Sequence, residues 1–397
     1  MHSEQRIPAA RGWVALLLAG LAFDASADVI ADWNIKTGEL IAEAKLGTPP
    51  AVRVMALVQT AAYEAVKGAQ GTSVDAAVAA AHRITLSKLM PGQQAAIDAA
   101  CQAALAAIAE GPAKAGGIAA GEKAAAAVLA QRADEGAAAP EAYRPHTSAG
   151  AYVPTAMPAV PQWQQRKPWL MTGAAQFRPG PPPALSSETW ARDFNEVKAL
   201  GGKNSTRRTA EQTEIARFWE YSLPAIYHGM VRSVANQPGR DTLRNARLFA
   251  AAAQAMDDGL IGVFDAKYHY NFWRPATAIR NGDIDGHDAT ERDASWTPFI
   301  DTPMHPEYPS AHSVLAAAVG AVIQAEVGSA TMPVLSTTSP TAKGASRRWS
   351  SVDEMTREVA NARVYEGVHY RTSTEAGTAM GRRIGELAVE THLRLPH

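Results

Sequence analysis

Residues 267–275 read KYHYNFWRP, residues 308–313 read YPSAHS and residues 363–371 read RVYEGVHYR. From these blocks Lys267, Arg274 and Arg363 supply cationic donors, Ser310 a hydroxyl, and His312 and His369 two imidazoles. Such a set suits a tetrahedral oxyanion. Arginine offers a planar fork of donors, lysine a point charge, and hydroxyl and backbone N–H groups fill the remaining directions. Two histidines are then available for chemistry, one to attack or ligate the central atom and one to move protons. No carboxylate stands where it would plainly neutralise the cations, and Glu307 reads equally well as a hydrogen-bond acceptor behind the site and as a loop charge.

Spacing brings the blocks together. Lys267 and Arg274 are seven residues apart, about two turns, which places both on one face of a helix that Pro275 bends or disrupts. Arg363 and His369 are six apart and would face different ways on an unbroken helix, so Gly367 marks a helix end that swings His369 back. Ser310 and His312 follow Pro309 at the start of the apolar stretch 313–327, whose N-terminus directs free N–H groups and a positive dipole end toward an anion. Lys267 lies among Tyr268, Tyr270, Phe272 and Trp273, surroundings that disfavour an unpaired cation.

The rest of the chain reads as helical. Apolar residues recur at helical spacing, or in Ala-rich runs, near 50–67, 93–109, 113–132, 186–200, 209–221, 241–260, 313–327, 353–366 and 374–392. Thr209 with Gln212 forms a capping-box pattern before Ile215, Phe218 and Trp219. The expected fold is therefore an all-α helical bundle. Residues 139–185 interrupt it, because their prolines exclude a continuous helix, while Tyr143, Tyr152, Trp163, Trp169 and Phe177 give this connection an apolar side to pack on the bundle. The expected organisation is a targeting segment over 1–27, a helical region over 28–138, the wrapped connection over 139–185 and a helical region over 186–397, the two helical regions forming one unit.

Composition sets outer bounds. A 397-residue chain with 47% hydrophobic and 19% charged residues can bury a large core, and a formal net charge of −1 gives no basis for nucleic-acid or acidic-membrane binding. Arg6 and Arg11, the apolar run 13–23 and Ala25-Ser26-Ala27 have the order of a cleavable signal peptide, which predicts a periplasmic or secreted protein without a membrane span after processing. Cys101, the single cysteine, excludes an intrachain disulfide and reads as a small core residue. The acidic run Asp283, Asp285, Asp288, Glu291 and Asp293 lacks the final glutamate of an EF-hand loop and reads as a solvated loop, and no motif places His269 or His287.

The three blocks resemble the tripartite signature Lys-x6-Arg-Pro, Pro-Ser-Gly-His and Ser-Arg-x5-His-x3-Asp. Vanadium-dependent haloperoxidases, bacterial class A acid phosphatases and type 2 phosphatidic acid phosphatases share this signature. The resemblance covers residues 257–380 and leans to the haloperoxidase branch through Phe272-Trp273-Arg274-Pro275 and Gly367-Val368-His369-Tyr370-Arg371. Three positions depart from it: Ala311 stands for the glycine, Ala362 for the serine before the arginine, and Ser373 for the aspartate expected to bind the far nitrogen of the ligating histidine. A hydroxyl at 373 should orient that ring less firmly.

By resemblance, Lys267, Arg274, Ser310, the Ala311 N–H and Arg363 would hold vanadate, with His369 as the metal ligand. Lys267 would polarise hydrogen peroxide, His312 would handle its protons, and halide would be oxidised. His305 matches a histidine of algal bromoperoxidases where fungal chloroperoxidase has Phe, which leans the preference to bromide or iodide. Trp273, His305 and Ser373 are candidates for halide or supporting contacts. The same pocket also fits phosphomonoester hydrolysis without a metal, His369 attacking phosphorus and His312 protonating the leaving alcohol. A third reading is an oxyanion-binding protein without turnover.

Overall fold

The computed structural model describes residues 28–394. The signal-peptide segment 1–27 lies outside the described residues. Asp28 caps α1 (Val29–Glu43), which is followed by α2 (Thr48–Gly68), α3 (Val74–Leu89), α4 (Gln94–Ala106) and α5 (Pro112–Gln131). The proline-rich connection runs next, broken only by a 3-10 turn at Pro161–Gln165. After it come α6 (Glu188–Leu200), α7 (Ala210–Trp219), α8 (Pro224–Ala235), α9 (Thr242–Tyr270) and α10 (Pro275–Arg280). The C-terminal part holds α11 (Ala311–Val327), a hairpin of β1 (Leu335–Ser339) and β2 (Ala345–Trp349), α12 (Val352–Tyr365) and α13 (Arg371–His392).

The fold is an all-α bundle, as the apolar spacing predicts. Four helices were not legible: α1, α3, α8 and the short α10. In α1 and α8 polar residues such as Asn34, Thr37 and His228 are buried among the apolar ones and blur the stripe. The hairpin is a further departure from an all-helical reading. Its first strand reads LSTTS, with inward Leu335, Thr337 and Ser339 too polar to stand out, and it closes through Lys343 and Gly344, both at positive φ. The Thr209 side chain and Gln212 form the capping box reciprocally. Within the acidic run Asp285 is buried, accepting bonds from Trp190 Nε1, the His287 N–H and Thr290 Oγ1, so it shapes a turn instead of lying in solvent.

Helix α9 is the axis. Its 29 residues span roughly 44 Å at 1.5 Å per residue, and almost every one from Leu248 to Lys267 is buried. It packs on α2, α11 and α13, so one apolar core runs from Ile30 to Val389 through both helical regions. The apolar α11 lies between α9 and α13. Gly377, Gly381 and Gly385 on α13 let the two backbones touch: a Cβ at Gly377 would sit 2.5 Å from the Ser310 carbonyl, and one at Gly381 2.1 Å from that of Val314. The connection packs as its aromatics predict, with Tyr152 and Trp163 buried and Trp169 and Phe177 against the core. Among the described residues no helix is long and apolar enough to cross a membrane.

Candidate functional site

Four helix ends deliver the site. Lys267 sits in the last turn of α9, which closes at Asn271 in the left-handed conformation, its N–H bonded to the Lys267 carbonyl at 2.8 Å. The chain then turns through Phe272 and Trp273 to Arg274, the N-cap of α10. The expectation that Lys267 and Arg274 share one helix face is therefore corrected: they belong to two helices, and the break at 271–274 folds the guanidinium back. Ser310 caps α11, accepting from the Ser313 N–H at 3.4 Å, and Ala311 opens that helix in ordinary helical geometry. Arg363 lies in the last turn of α12, and Gly367, at φ +78°, reverses the chain before His369. Only glycine fits at 367, since a Cβ there would meet the Gly201 carbonyl at 2.3 Å.

Lys267, Arg274, Arg363, Ser310 and His369 are buried together. The Lys267 Nζ donates to the carbonyls of Pro306, Glu307 and Pro309 at 3.2, 2.8 and 2.5 Å. Burial, and then Arg274, pull its pKa well below the usual lysine range. The three carbonyls work in the opposite direction, because only an ammonium has three protons to give. Arg274 binds backbone through Nε to the His305 carbonyl at 2.9 Å and Nη1 to the Val368 carbonyl at 2.8 Å. Its Nη2 meets His305 Nδ1 at 2.9 Å, and Nη1 stands 3.3 Å from His369 Nε2. Burial lowers the Arg274 pKa to about 10.

The expectation that no carboxylate faces the cations is overturned twice. Glu307 Oε1 accepts from His369 Nδ1 at 2.7 Å and from the Tyr370 N–H at 3.1 Å. Ser373 Oγ, at 3.5 Å from the same Nδ1, is only a distant partner. The carboxylate missing from position 373 is thus supplied by the loop before α11. Glu366 forms a fully buried ion pair with Arg363. Both acids are pushed up by burial, Glu307 to about 7 and Glu366 to about 8. The signal for Glu366 was present as an Arg-x-x-Glu spacing of one helical turn inside the third block. Of the two readings of Glu307, an acceptor behind the site or a loop charge, the structure selects the first, through a contact that crosses 62 residues of chain.

Glu307 also fixes the chemistry of His369. With Nδ1–H donating to the carboxylate, Nε2 keeps its lone pair and turns it to the pocket. Burial, then the fields of Arg274, Lys267 and Arg363, hold His369 well below the normal histidine range, so the ring is neutral. His312 and His305 are lowered by burial and by the same cations. His312 Nε2 and Arg363 Nε are buried without a hydrogen-bond partner among the described residues. These orphaned groups, the free N-terminus of α11 and the open Nε2 of His369 suit a tetrahedral or five-coordinate oxyanion such as vanadate. A cavity of about 300 Å³ reaches this point, lined by Ala311, His312, Arg363 and His369 on one side and by His305 and Phe264 on another.

Trp273 does not take part. It is buried against Trp190, with ring centroids 5.8 Å apart, in a separate aromatic core away from the cavity. His269 and His287 likewise lie away from the cavity lining.

Residues 247–397 match the VCPO second helical-bundle domain. The chain is 27% identical over 179 residues to the vanadium chloroperoxidase of Curvularia inaequalis, a match covering 37% of this chain and 29% of that protein. In structure it is similar to a bacterial vanadium-dependent iodoperoxidase, with TM-score 0.78, 24% identity, and coverage of 93% of this chain and 97% of the other. It is similar as well to a holo-type bacterial vanadium-dependent chloroperoxidase, with TM-score 0.72, 18% identity, and coverage of 94% and 99%. Through the bundle that carries these four helix ends, the chain is similar to vanadium-dependent haloperoxidases, and it shares the fold of their bacterial members.

Proposed function

We propose that this protein is a vanadate-dependent haloperoxidase that oxidises halide, bromide or iodide in preference, with hydrogen peroxide. The observation that carries this reading is the contact of His369 Nδ1 with Glu307 Oε1 at 2.7 Å, which assigns the ring proton to Nδ1 and leaves Nε2 with its lone pair beside Arg274. His369 would ligate vanadium, while Arg274, Arg363, Ser310 and the Ala311 N–H would hold the oxyanion's oxygens. Lys267, whose protons bond the 306–309 carbonyls, would contribute its field and shape the loop that carries Glu307, and would reach bound peroxide only by giving up one of those bonds. Bound vanadate supplies Lewis-acid activation of peroxide toward a halide nucleophile without a change of metal oxidation state.

His312, neutral and with Nε2 unpartnered at the cavity wall, would accept and return the peroxide protons. Leu260, Phe264, Ile300 and Leu315 give the cavity a largely apolar wall, which favours weakly hydrated anions, and His305 stands among them. That lining supports the bromide or iodide preference. Export to the periplasm or medium is part of the same proposal, and subcellular fractionation of the expressed full-length chain checks it.

The deciding experiment is a paired assay on protein freed of metal. Bromide or iodide oxidation by peroxide should appear only after vanadate is added. Hydrolysis of p-nitrophenyl phosphate, inhibited by vanadate, would replace this reading with a phosphatase. Oxyanion binding with neither activity would leave a binding protein.

A further inference from the structure

The buried charges of the pocket do not sum as its cations alone suggest. Lys267, Arg274 and Arg363 contribute three positive charges and Glu307 and Glu366 two negative ones, which leaves one net positive when every group is ionised and the histidines are neutral. Glu307 is engaged with His369. Glu366 is different. Its ion pair with Arg363 is its main compensation, and neither of its oxygens has a further donor among the described residues. Its backbone is fixed by the Phe299 N–H bonding to its carbonyl at 3.0 Å, and its side chain is fully buried. On the other side Arg363 presents Nε without a partner and lines the cavity. One guanidinium therefore stands between an internal carboxylate and the space for an external anion.

We infer that Glu366 sets the charge selectivity of the oxyanion pocket, acting as a built-in counter-anion on Arg363 so that a singly charged oxyanion is favoured over a doubly charged one. This rests on the oxyanion-pocket reading above. Where Glu366 is ionised, in mild alkali, a dianion entering beside Arg363 meets that carboxylate behind it, whereas a monoanion balances the pocket. The phosphate group of a typical monoester is a dianion in that range and is disfavoured in the same way.

The groups facing Glu366 come from three elements. They are Arg363 on α12, Glu220 at the end of α7, whose charge opposes ionisation of Glu366, and Tyr227 on α8. Burial holds the Glu366 proton up to about 8, so the carboxylate is ionised in mild alkali and neutral in mild acid. The selectivity should therefore relax as the pH falls.

Tungstate and perrhenate are tetrahedral, of similar size, and carry two charges and one charge respectively throughout the neutral to mildly alkaline range. Their affinities for the metal-free protein, measured by calorimetry, give a ratio that cancels size and shape. At about pH 9, Glu366→Gln should raise the tungstate-to-perrhenate ratio by at least about tenfold over wild type, because one more positive charge acts on one more negative one. Lowering the pH of wild type to about 8, where Glu366 takes up a proton, should raise the ratio, and the variant, in which Glu307 alone of the two acids can still titrate, should show a smaller rise. Equal ratios in both proteins at both pH values overturn the inference. Should Glu366→Gln fail to fold, Glu307→Gln takes its place: that variant must retain the pH-dependent rise, and loss of the rise assigns it to Glu307 and removes Glu366 from the role. If wild type binds neither anion, the pocket itself is wrong, an outcome distinct from equal ratios with binding intact.

Discussion

Helix α9 carries two buried charge networks about three turns apart, and they end differently. At Asp257 and Asp258 the network is closed. Arg166 makes a bidentate pair with Asp257 at 2.6 and 2.9 Å and reaches Glu135 at 2.8 Å, while Arg132 and Arg53 complete Glu135. Asp258 takes the successive N–H groups of Trp169, Leu170 and Met171 at 2.7, 2.8 and 2.9 Å. One donor is left over, Arg166 Nε, on a guanidinium that stacks on Trp163 at 4.6 Å. At Lys267 the network is open: among the described residues His312 Nε2, Arg363 Nε and Glu307 Oε2 lack partners, and a cavity runs to His312 and Arg363. Buried charge by itself marks neither a site nor a strut. The first network fastens the proline-rich connection to the bundle, and the second holds donors in reserve for something that arrives from solvent.

The sharpest break of this comparison removes each histidine of the open network. His369→Ala should abolish tight vanadate retention in dialysis. His312→Ala should keep vanadate but slow halide oxidation by roughly 10²–10⁴-fold, the usual loss for a general acid–base. Vanadate retained unchanged by His369→Ala would disqualify His369 as the ligand. In the closed network Arg166→Met strands the buried Asp257 carboxylate, while Glu135 keeps Arg132 and Arg53, and should lower unfolding stability by about 3–5 kcal/mol, read by denaturant titration. Folded Arg166→Met protein should still bind tungstate as wild type does, and a parallel loss of binding would merge the two networks into one.

Glu307→Gln takes the carboxylate from His369 while keeping its shape, and should weaken vanadate binding by about 10–100-fold, the range for losing the partner behind a metal-binding histidine. Adding Ser373→Asp to that variant should recover part of the loss, because position 373 lies 3.5 Å from the same nitrogen through its present hydroxyl. Binding that the second change fails to improve would mean that Glu307 acts in another way.

Carboxylates of the two networks should also respond to pH in opposite senses, Glu307 and Glu366 in one and Asp257 in the other. Glu307 and Glu366 have folded-state values raised to about 7 and about 8, so their contribution to stability is present below the ordinary carboxylate range and is lost as pH rises through those values. Asp257, although buried, is held below the ordinary range by Arg166, so its contribution is present above that range and lost as pH falls through its folded value. Between about pH 7.5 and 9, above the range of the lowered histidines, the Tm of metal-free Glu366→Gln should fall less than that of wild type, and both should lose stability separately in strong acid. A Glu366→Gln Tm that falls as steeply as wild type over the alkaline span would contradict the first half. The smallest effect belongs to neither network: Thr209→Ala removes the α7 capping box for about 1 kcal/mol and should leave anion binding unchanged.

What could be read from the chain follows the same division. The bundle and the site blocks were legible because helical spacing and the Lys, Arg, Ser and His positions are local patterns. Of the carboxylates, Glu307 was legible only as an even choice between acceptor and loop charge, and Glu366 was not legible at all. Glu307 reaches His369 across 62 residues, and a side chain that long-range folding brings into place leaves no trace in spacing. Glu366 was overlooked although it sits one turn from Arg363, since an Arg-x-x-Glu pair on a helix is ordinarily a solvent-exposed contact worth a few tenths of a kcal/mol. Burial changes its meaning, and burial here depends on Gly201 and Gly367 touching backbone to backbone. Trp273 misled for the complementary reason: it is one residue from Arg274, yet the turn at Asn271 points it into a different core.

The glycine row on α13 makes the spacing of the site depend chiefly on main chain. Ser310 and His369 stand at the starts of α11 and α13, and where these helices meet at Gly377 the nearest atoms are the Ser310 carbonyl oxygen and the Ser313 Cβ. Substitutions along the cavity can therefore alter what enters without moving the donors that receive it, as furniture can be changed in a room whose walls are fixed. A single methyl at 377 would act in the opposite way, as a wedge that parts the two halves of the anion seat while leaving every residue that touches the anion in place.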